Sequence, residues 1–239
     1  MLRISLPAET LWTLWGLPIS NALLTTWIVM AVLIVCSIVA TRKLSMKPGT
    51  FQTLAEIVVG GLYDFFGSIS GSFIGQFFPL VGSLFLYILL ANWIGLLPGV
   101  GTVGFWHGEE FIPLFRGAMS DLNTTIALAV VSVLAMQYYG FKNLGHHYAK
   151  RYINFKDPIL FSVGILEIIS DLSKIISFAF RLFGNIFAGE VLLAVMAFLM
   201  PFIVPLPFLF MELFVGLIQA LVFSMLSAAF FTIAVAHEE

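Results

Sequence analysis

The chain has very few charged residues. Only 10% of its 239 residues are Asp, Glu, Lys or Arg, whereas soluble domains contain about 25%. Hydrophobic residues make up 60% of the sequence, and the mean hydropathy is +1.04. So few charges cannot cover a water-facing surface, which excludes a soluble globular domain. The composition predicts a protein that crosses a membrane several times.

Cysteine is almost absent, and so are the usual signs of nucleotide or nucleic-acid binding. Cys36 is the single cysteine, which excludes an intrachain disulfide and a cysteine-based metal site. No basic patch indicates nucleic acid, and no Walker A segment is present, so the chain is not expected to hydrolyse ATP by itself. The GxGxxG pattern at residues 99–104 lies outside any βαβ unit and predicts a turn. No cofactor or metal is expected.

Five apolar stretches are long enough to cross a bilayer as helices, which takes about 20 residues. The predicted spans cover residues 19–40, 77–97, 122–141, 158–200 and 207–236. Residues 51–66 differ, because Glu56 and Asp64 interrupt the apolar residues, and they predict a helix at the membrane interface. Asp121 and Asn123 are good N-cap residues for the third span. We predict an all-α integral membrane protein that forms a single membrane domain.

Glycines recur at every fourth position from Gly67 through Gly71 to Gly75, just before the second predicted span. This spacing suits two helices that pack closely, or a flexible turn back into the membrane. The sequence leaves both interpretations open.

Lysine and arginine in the short loops predict the orientation. Seven of them lie in the loops at 41–50 and 142–157, whereas Arg3 and Arg116 fall on the opposite side. Cytoplasmic loops carry the excess of positive charge, so we expect the N-terminus outside and the C-terminus in the cytoplasm. The first apolar run is longer than the ~7–15 residues of a signal-peptide core, so we expect it to be retained. An odd number of spans without a visible repeat argues against an inverted-repeat transporter.

Arg181 lies inside the fourth predicted span. Its guanidinium keeps its proton at any working pH, and a charge at bilayer depth costs ~2.5–3.5 kcal/mol on insertion scales. No carboxylate lies three or four residues away to pair with it. A charge in this position normally faces a partner or a water-filled path, so Arg181 is a candidate functional residue.

Other polar residues share the helix face of Arg181. At 100° per residue, one face within about 40° of a common line holds five polar residues: Glu167, Asp171, Lys174, Arg181 and Asn185. Glu190 points to the opposite side of a straight helix. On the fifth predicted span, Glu212, Gly216 and Gln219 share a face.

The polar residues also separate by depth. Glu190 and Glu212 lie toward the outside on either side of a proline-rich hairpin, have no cation near them in the sequence, and could approach each other and exchange protons. Glu167 and Asp171 lie toward the cytoplasm. Arg181 lies between the two groups, where a permanent positive charge would stop protons from leaking along a continuous acidic path. Alternatively, the cytoplasmic charges only pair with one another, with Lys174 as the cation, and hold the helices together.

Several motifs resemble the a subunit of F-type ATP synthases. They are RLFGNIFAGE at 181–190, LIQA at 217–220, ANWIG at 91–95 with LLP after it, and DLNTT at 121–125. They occur in the family's order, and the resemblance covers roughly residues 50–235. It implies that the fourth and fifth spans are long, tilted helices that lie against a rotating ring of c subunits.

The resemblance also implies a function, that of a proton-translocating stator subunit with two offset half-channels separated by Arg181. Arg181 matches the family's essential arginine. Its supporting polar positions are matched by Asn185, Glu190 and Gln219. Glu212 stands where many bacterial relatives carry His and others carry Glu. Glu167 matches an acidic residue of the cytoplasmic half-channel, and Lys174 and Ser177 fall at the family's usual Lys and Ser positions.

The implied partners are the c-subunit ring, the b-type peripheral stalk subunits and the rest of the ATP synthase, in the lipid of a bacterial plasma membrane. The same intramembrane charges also suit an independent secondary transporter or ion channel, or a purely structural assembly subunit. A stator subunit should co-purify with a c-ring and soluble ATPase subunits, whereas a transporter should act alone in liposomes.

Overall fold

The computed structural model describes residues 9–14, 17–42, 47, 49–97, 100, 103–107, 110–152, 158–200 and 203–236. Seven α-helices lie in these segments: α1 (Asn21–Thr41), α2 (Thr50–Ser70), α3 (Ile74–Gly95), α4 (Leu122–Leu144), α5 (His146–Tyr152), α6 (Pro158–Leu199) and α7 (Pro205–Val235). Short 3-10 turns occupy Gly71–Phe73 and Ala118–Ser120. Two antiparallel hairpins complete the described chain: β1 (Thr10–Leu14) with β2 (Leu17–Ser20), and β3 (Gly104–His107) with β4 (Glu110–Pro113).

The predicted fold class is confirmed. The described residues contain five helical segments long and apolar enough to cross a membrane: Asn21–Thr41, Thr50–Gly95, Leu122–Leu144, Ile159–Leu199 and Pro205–Val235. The second of these includes both α2 and α3, which the 3-10 turn joins. How α2 lies relative to the bilayer, and the tilt of α6 and α7, remain predictions.

Two helix boundaries follow from local chemistry. The Ser20 side chain accepts a hydrogen bond from the Leu23 amide and caps α1, and Asp121 caps α4 by accepting from the Asn123 amide. The prediction for Asp121 is confirmed, whereas Asn123 lies inside the helix. Gly71 ends α2 with a φ of 52°, a conformation that costs glycine little. Of the two interpretations of the glycine repeat, the turn therefore describes Gly71.

Helix α5 occupies part of the segment that the sequence analysis treated as a loop. Gly145, with a φ of 54°, ends α4, and the seven residues of α5 follow at once. So short a helix is marginal alone, but Tyr148 is only 2% exposed. Packing against the longer helices therefore stabilises α5, although seven residues are too few to predict a helix from the sequence alone.

Helix α7 lies at the centre of the bundle, packed against α2, α3, α4 and α6. Its small residues Ala220 and Ala228 are fully buried, which lets neighbouring backbones approach. The Ser227 and Ser132 hydroxyls share a buried hydrogen bond of 2.8 Å between α7 and α4. The outer faces of α1 and α6 carry exposed apolar residues, among them Ile34 at 59%. Apolar side chains on both the inside and the outside are what a lipid environment requires.

Candidate functional site

Arg181 lies on the exposed side of α6. Its Nη2 donates to the Ser177 Oγ at 3.3 Å, one turn earlier on the same helix. Within the part of the chain that the structure describes, no carboxylate oxygen lies within 4.0 Å of the Arg181 guanidinium. The opposite side of the helix is packed, because Leu182 and Ile186 are buried. Arg181 therefore presents its charge to the surroundings of the chain rather than to its core.

The polar face predicted for α6 divides into two parts. Asp171 is 7% exposed, whereas Arg181 and Asn185 are exposed. The wheel places Asp171 and Arg181 about 80° apart, at opposite edges of the face. Packing buries one edge and leaves the other outside. The five residues share a helix face by their spacing, but they differ in burial.

Asn185 and Gln219 link α6 to α7 one turn beyond Arg181. The Asn185 Nδ2 donates to the Gln219 Oε1 at 2.8 Å. Gln219 is 4% exposed, and its Nε2 has no hydrogen-bond partner among the described residues. A buried amide donor without a partner costs free energy. The hydrogen bond to Asn185 and the packing around Gln219 must offset this cost to keep the side chain in place. Both residues belong to the predicted site, and the structure brings them together.

Glu212 on α7 meets α6 beside Glu190. The Glu212 carboxylate lies directly against the backbone of Gly189, in the space that a Cβ atom would occupy there. Glu212 is 3% exposed, and its Oε1 has no hydrogen-bond partner among the described residues. The structure therefore places Glu212 beside the residue that precedes Glu190. Proton exchange between the two carboxyl groups stays a prediction.

Glu190 has a cation beside it, contrary to the sequence analysis. The Arg116 Nε lies 3.9 Å from the Glu190 Oε2 and donates to the Ser120 Oγ at 3.2 Å. A Cβ built on Gly117 would lie 3.1 Å from the Glu190 Oε1, so the loop backbone comes close to the carboxylate. Arg116 is far from Glu190 in the sequence, and only the fold of the loop before α4 joins them.

Two residues of α3 hold α7 between Glu212 and Gln219. The Asn92 Nδ2 donates to the Gly216 carbonyl at 2.9 Å, and the Trp93 Nε1 donates to the Leu213 carbonyl at 3.2 Å. The Asn92 Cβ is 3.1 Å from the place of a Cβ at Gly216, so a larger residue there would require Asn92 to move by a few tenths of an ångström. The sequence analysis quoted both residues within a motif but gave them no role. The signal was present as a polar Asn in an apolar span.

At the other end of the site, Asp171 lies in a dense polar network. Its Oδ1 accepts from the Lys174 Nζ at 2.6 Å, and its Oδ2 accepts from the Gln137 Nε2 and the Tyr152 hydroxyl, each at 2.7 Å. The interpretation that Asp171 and Lys174 pair with each other is confirmed. Glu167 is half-buried and lines a cavity of about 10 Å³ next to this pair, roughly the space of one water molecule.

The described residues contain no group of three or more His, Cys, Asp or Glu side chains arranged to hold a metal ion. The polar groups form a row along α6 and α7, with two carboxyl groups at one end, an exposed arginine in the middle and an acid–lysine cluster at the other end. Chemically, this arrangement offers proton-exchanging groups on either side of a fixed positive charge.

Comparison with known proteins identifies the family. A family model described as ATP synthase A chain matches residues 23–232. The chain belongs to this family. ATP synthase subunit a of Gloeobacter violaceus is 37% identical over 225 residues, which cover 92% of this chain and 85% of that relative. The resemblance seen in the sequence motifs is confirmed, and with its five apolar helices this member of the ATP synthase A chain family is a multi-pass membrane protein.

Proposed function

We propose that the chain is the proton-translocating stator subunit of a rotary F-type ATP synthase. In this proposal it provides two offset half-channels to the carboxylates of a c-subunit ring, and Arg181 separates them. Family membership supports the assignment to the complex, and the placement of the polar groups supports the division of roles.

The exposed guanidinium of Arg181 is the observation that carries the proposal. It lies on the outer side of α6 without an acidic partner in the described part of the chain. Beside it in α6, Phe180 is 55% exposed. A charge among apolar residues at membrane depth needs a counter-charge. A carboxylate on a neighbouring subunit that slides past this face would supply one.

The two ends of the row of polar residues suit two half-paths. Protons would enter from outside at Glu190 and Glu212 and pass Gln219 and Asn185 to reach the ring. Glu167, Asp171 and Lys174 would line the path to the cytoplasm, with Ser177 next to Arg181.

Arg181 would set the direction of transfer. A charge-assisted Arg–carboxylate pair favours the ionised acid, so a protonated ring carboxyl that reaches Arg181 would release its proton to the cytoplasmic side. A carboxylate that leaves Arg181 would be neutralised from the outer side before it turns into lipid. The pair has to break at every step. Among the described residues, Arg181 donates one hydrogen bond, to Ser177, which leaves most of its guanidinium donors available for this cycle.

The proposed setting is a bacterial plasma membrane with the N-terminus outside and the C-terminus in the cytoplasm. Seven Lys and Arg residues in two loops support this orientation. The proposed partners are the c-ring, the b-type peripheral stalk subunits, the rest of the ATP synthase and membrane lipid.

ATP-driven proton pumping in inverted membrane vesicles tests the proposal. Arg181→Ala should abolish pumping while the complex still assembles, and Arg181→Lys should also fail, because a compact ammonium replaces a planar fork of donors. Arg42→Ala is the matched control, since it removes an exposed arginine at the end of α1 and should leave pumping unchanged. Full pumping by Arg181→Ala, or transport by the purified chain alone in liposomes, would contradict the proposal and favour an independent transporter or channel.

A further inference from the structure

The network around Asp171 joins α4, α5 and α6. It consists of Gln137 on α4, Tyr148 and Tyr152 on α5, and Asp171 and Lys174 on α6. The role inferred for it below rests on the proposed function, because it concerns the cytoplasmic half-path.

Both oxygens of Asp171 are occupied. Lys174 donates to Oδ1 at 2.6 Å, and Gln137 and Tyr152 donate to Oδ2 at 2.7 Å. All three contacts present a hydrogen atom to the carboxylate. Both lone pairs of Oδ2 are in use, and the one left on Oδ1 lies beside the Lys174 ammonium group, which would face any proton that arrived there. The geometry therefore suits a fixed acceptor rather than a carrier of protons.

Tyr152 is suited to be a permanent donor in this network. Burial raises its pKa well above the ordinary value, and the hydrogen bonds with Tyr148 and Asp171 raise it further. The Tyr152 hydroxyl therefore stays protonated at any working pH. It also accepts a hydrogen bond from the Gln137 Nε2 at 2.9 Å, which fixes the end of α5 against α4 as well as α6.

Two glycines allow α5 to pack closely against α6 and α4. The Tyr152 carbonyl oxygen lies against the backbone of Gly164 on α6, within the space of a Cβ atom, and the Tyr148 ring does the same at Gly140 on α4. Any larger residue at either position would push α5 away and pull the Tyr152 hydroxyl off Asp171. The close contacts of α5 with the two glycines and the hydrogen bonds to Asp171 therefore hold α5 in the same position.

Lys174 is held from two sides. Asp171 accepts from its ammonium group, and the ring of Phe230 on α7 lies below that group, 4.9 Å from ring centroid to Nζ. Lys174, Asp171, Tyr148 and Tyr152 are also walls of the small cavity that Glu167 lines. The position of these walls decides whether the space beside Glu167 stays the size of one water molecule.

We propose that Asp171 is a positioning residue: it latches α5 onto α6 and holds Lys174 beside the Glu167 cavity, and it does not carry protons itself. The latch consists of Asp171, Tyr152 and Gln137. Proton transfer on this side then depends on Glu167, with the latch keeping its surroundings in place.

A variant that breaks the latch but keeps the carboxyl group separates positioning from relay. Tyr152→Phe leaves Asp171 and its ion pair with Lys174 in place and removes the hydroxyl donor on α5. It should therefore reduce ATP-driven proton pumping in inverted vesicles roughly ten-fold, about as much as Asp171→Asn does. A relay carboxyl would give the opposite result, with Tyr152→Phe pumping like wild type and Asp171→Asn inactive, and this would overturn the proposal.

Hydrogen–deuterium exchange on the purified complex tests the latch without relying on transport. Tyr152→Phe removes one hydroxyl and keeps the ring, so folding should be preserved. The backbone amides of residues 146–152 should exchange roughly ten-fold faster in Tyr152→Phe and in Asp171→Asn, with the 178–186 segment unchanged. Unchanged exchange in α5 would overturn the latch. A wild-type chain that failed to pump would count against the proposed function, whereas this exchange result would still decide the latch.

Discussion

The two ends of the row of polar residues differ in how they satisfy their carboxyl groups. At the end nearer α5, Asp171 receives three hydrogen bonds from its own chain. At the other end, Glu212 is buried with its Oε1 unpartnered among the described residues, and Glu190 has Arg116 at 3.9 Å. A buried carboxyl oxygen without a partner can accept a hydrogen bond from a water molecule or another group, whereas a carboxyl group with several donors is held in place. The difference indicates that similar residues in one row serve different purposes.

The largest effect on pumping is expected from a substitution of Gly189, which tests the contact between Glu212 and α6. Gly189→Ala would put a methyl group where the Glu212 carboxylate lies, so the end of the Glu212 side chain would have to move. We expect roughly a ten-fold or greater loss of ATP-driven proton pumping, because Glu212 must leave its place beside Glu190. Gly61→Ala is the control, since nothing lies within 4 Å of a Cβ at Gly61. Equal pumping by the two variants would mean that the contact of Glu212 with α6 is not needed.

Arg116 tests whether the outer carboxyl groups depend on a cation from the loop. Arg116→Gln removes the charge near Glu190 and should lower pumping about two- to five-fold, as expected for a partly exposed ion pair worth about 1 kcal/mol. Arg116→Lys restores the charge and should recover most of the activity. The comparison is measured by initial pumping rates in inverted vesicles. If the lysine variant were no better than the glutamine variant, the charge would not be what matters, and the bond of Arg116 to Ser120 would be the alternative.

The hydrogen bond between Ser132 and Ser227 lies outside the row of polar residues. Its removal shows how much pumping changes when the helix bundle is loosened elsewhere. The bond joins α4 to α7 and involves none of the proposed path residues. Ser132→Ala should reduce the free energy of unfolding by about 0.6 kcal/mol, the average for such bonds between membrane helices, and leave pumping within about two-fold. Denaturant titration in detergent measures the first and vesicle pumping the second. A large pumping defect in Ser132→Ala would show that the path is sensitive to any loosening of the bundle. The effects at Gly189 and Arg116 would then not be specific to the carboxyl groups.

Much of the fold was predictable because a bilayer imposes simple requirements. Apolar runs of sufficient length had to become helices, and the predicted spans agree with the helices to within a few residues. Asp121 was predictable as a cap from its position before an apolar run. Helix α5 and the hairpins were not predicted, since short elements depend on contacts made far away in the sequence.

The candidate site was predictable as a set of residues but not as an arrangement. Charges within apolar helices stand out in the sequence, which is why Arg181, Glu190 and Glu212 were recognised. The pairing of Glu190 with Arg116, and of Asp171 with Gln137 and Tyr152, joins residues from separate helices and loops. A helical wheel describes one helix alone and cannot show which edge its neighbours cover.

The sequence by itself determined that this chain is a multi-span helical membrane protein with a fixed charge at membrane depth, because composition and guanidinium chemistry allow little else. Family membership follows from the same residues. Only the tertiary structure decided which polar groups are satisfied within the described chain and which face its surroundings. The physical reason is that burial depends on packing: the bundle covers Asp171 and Glu212 and leaves Arg181 exposed.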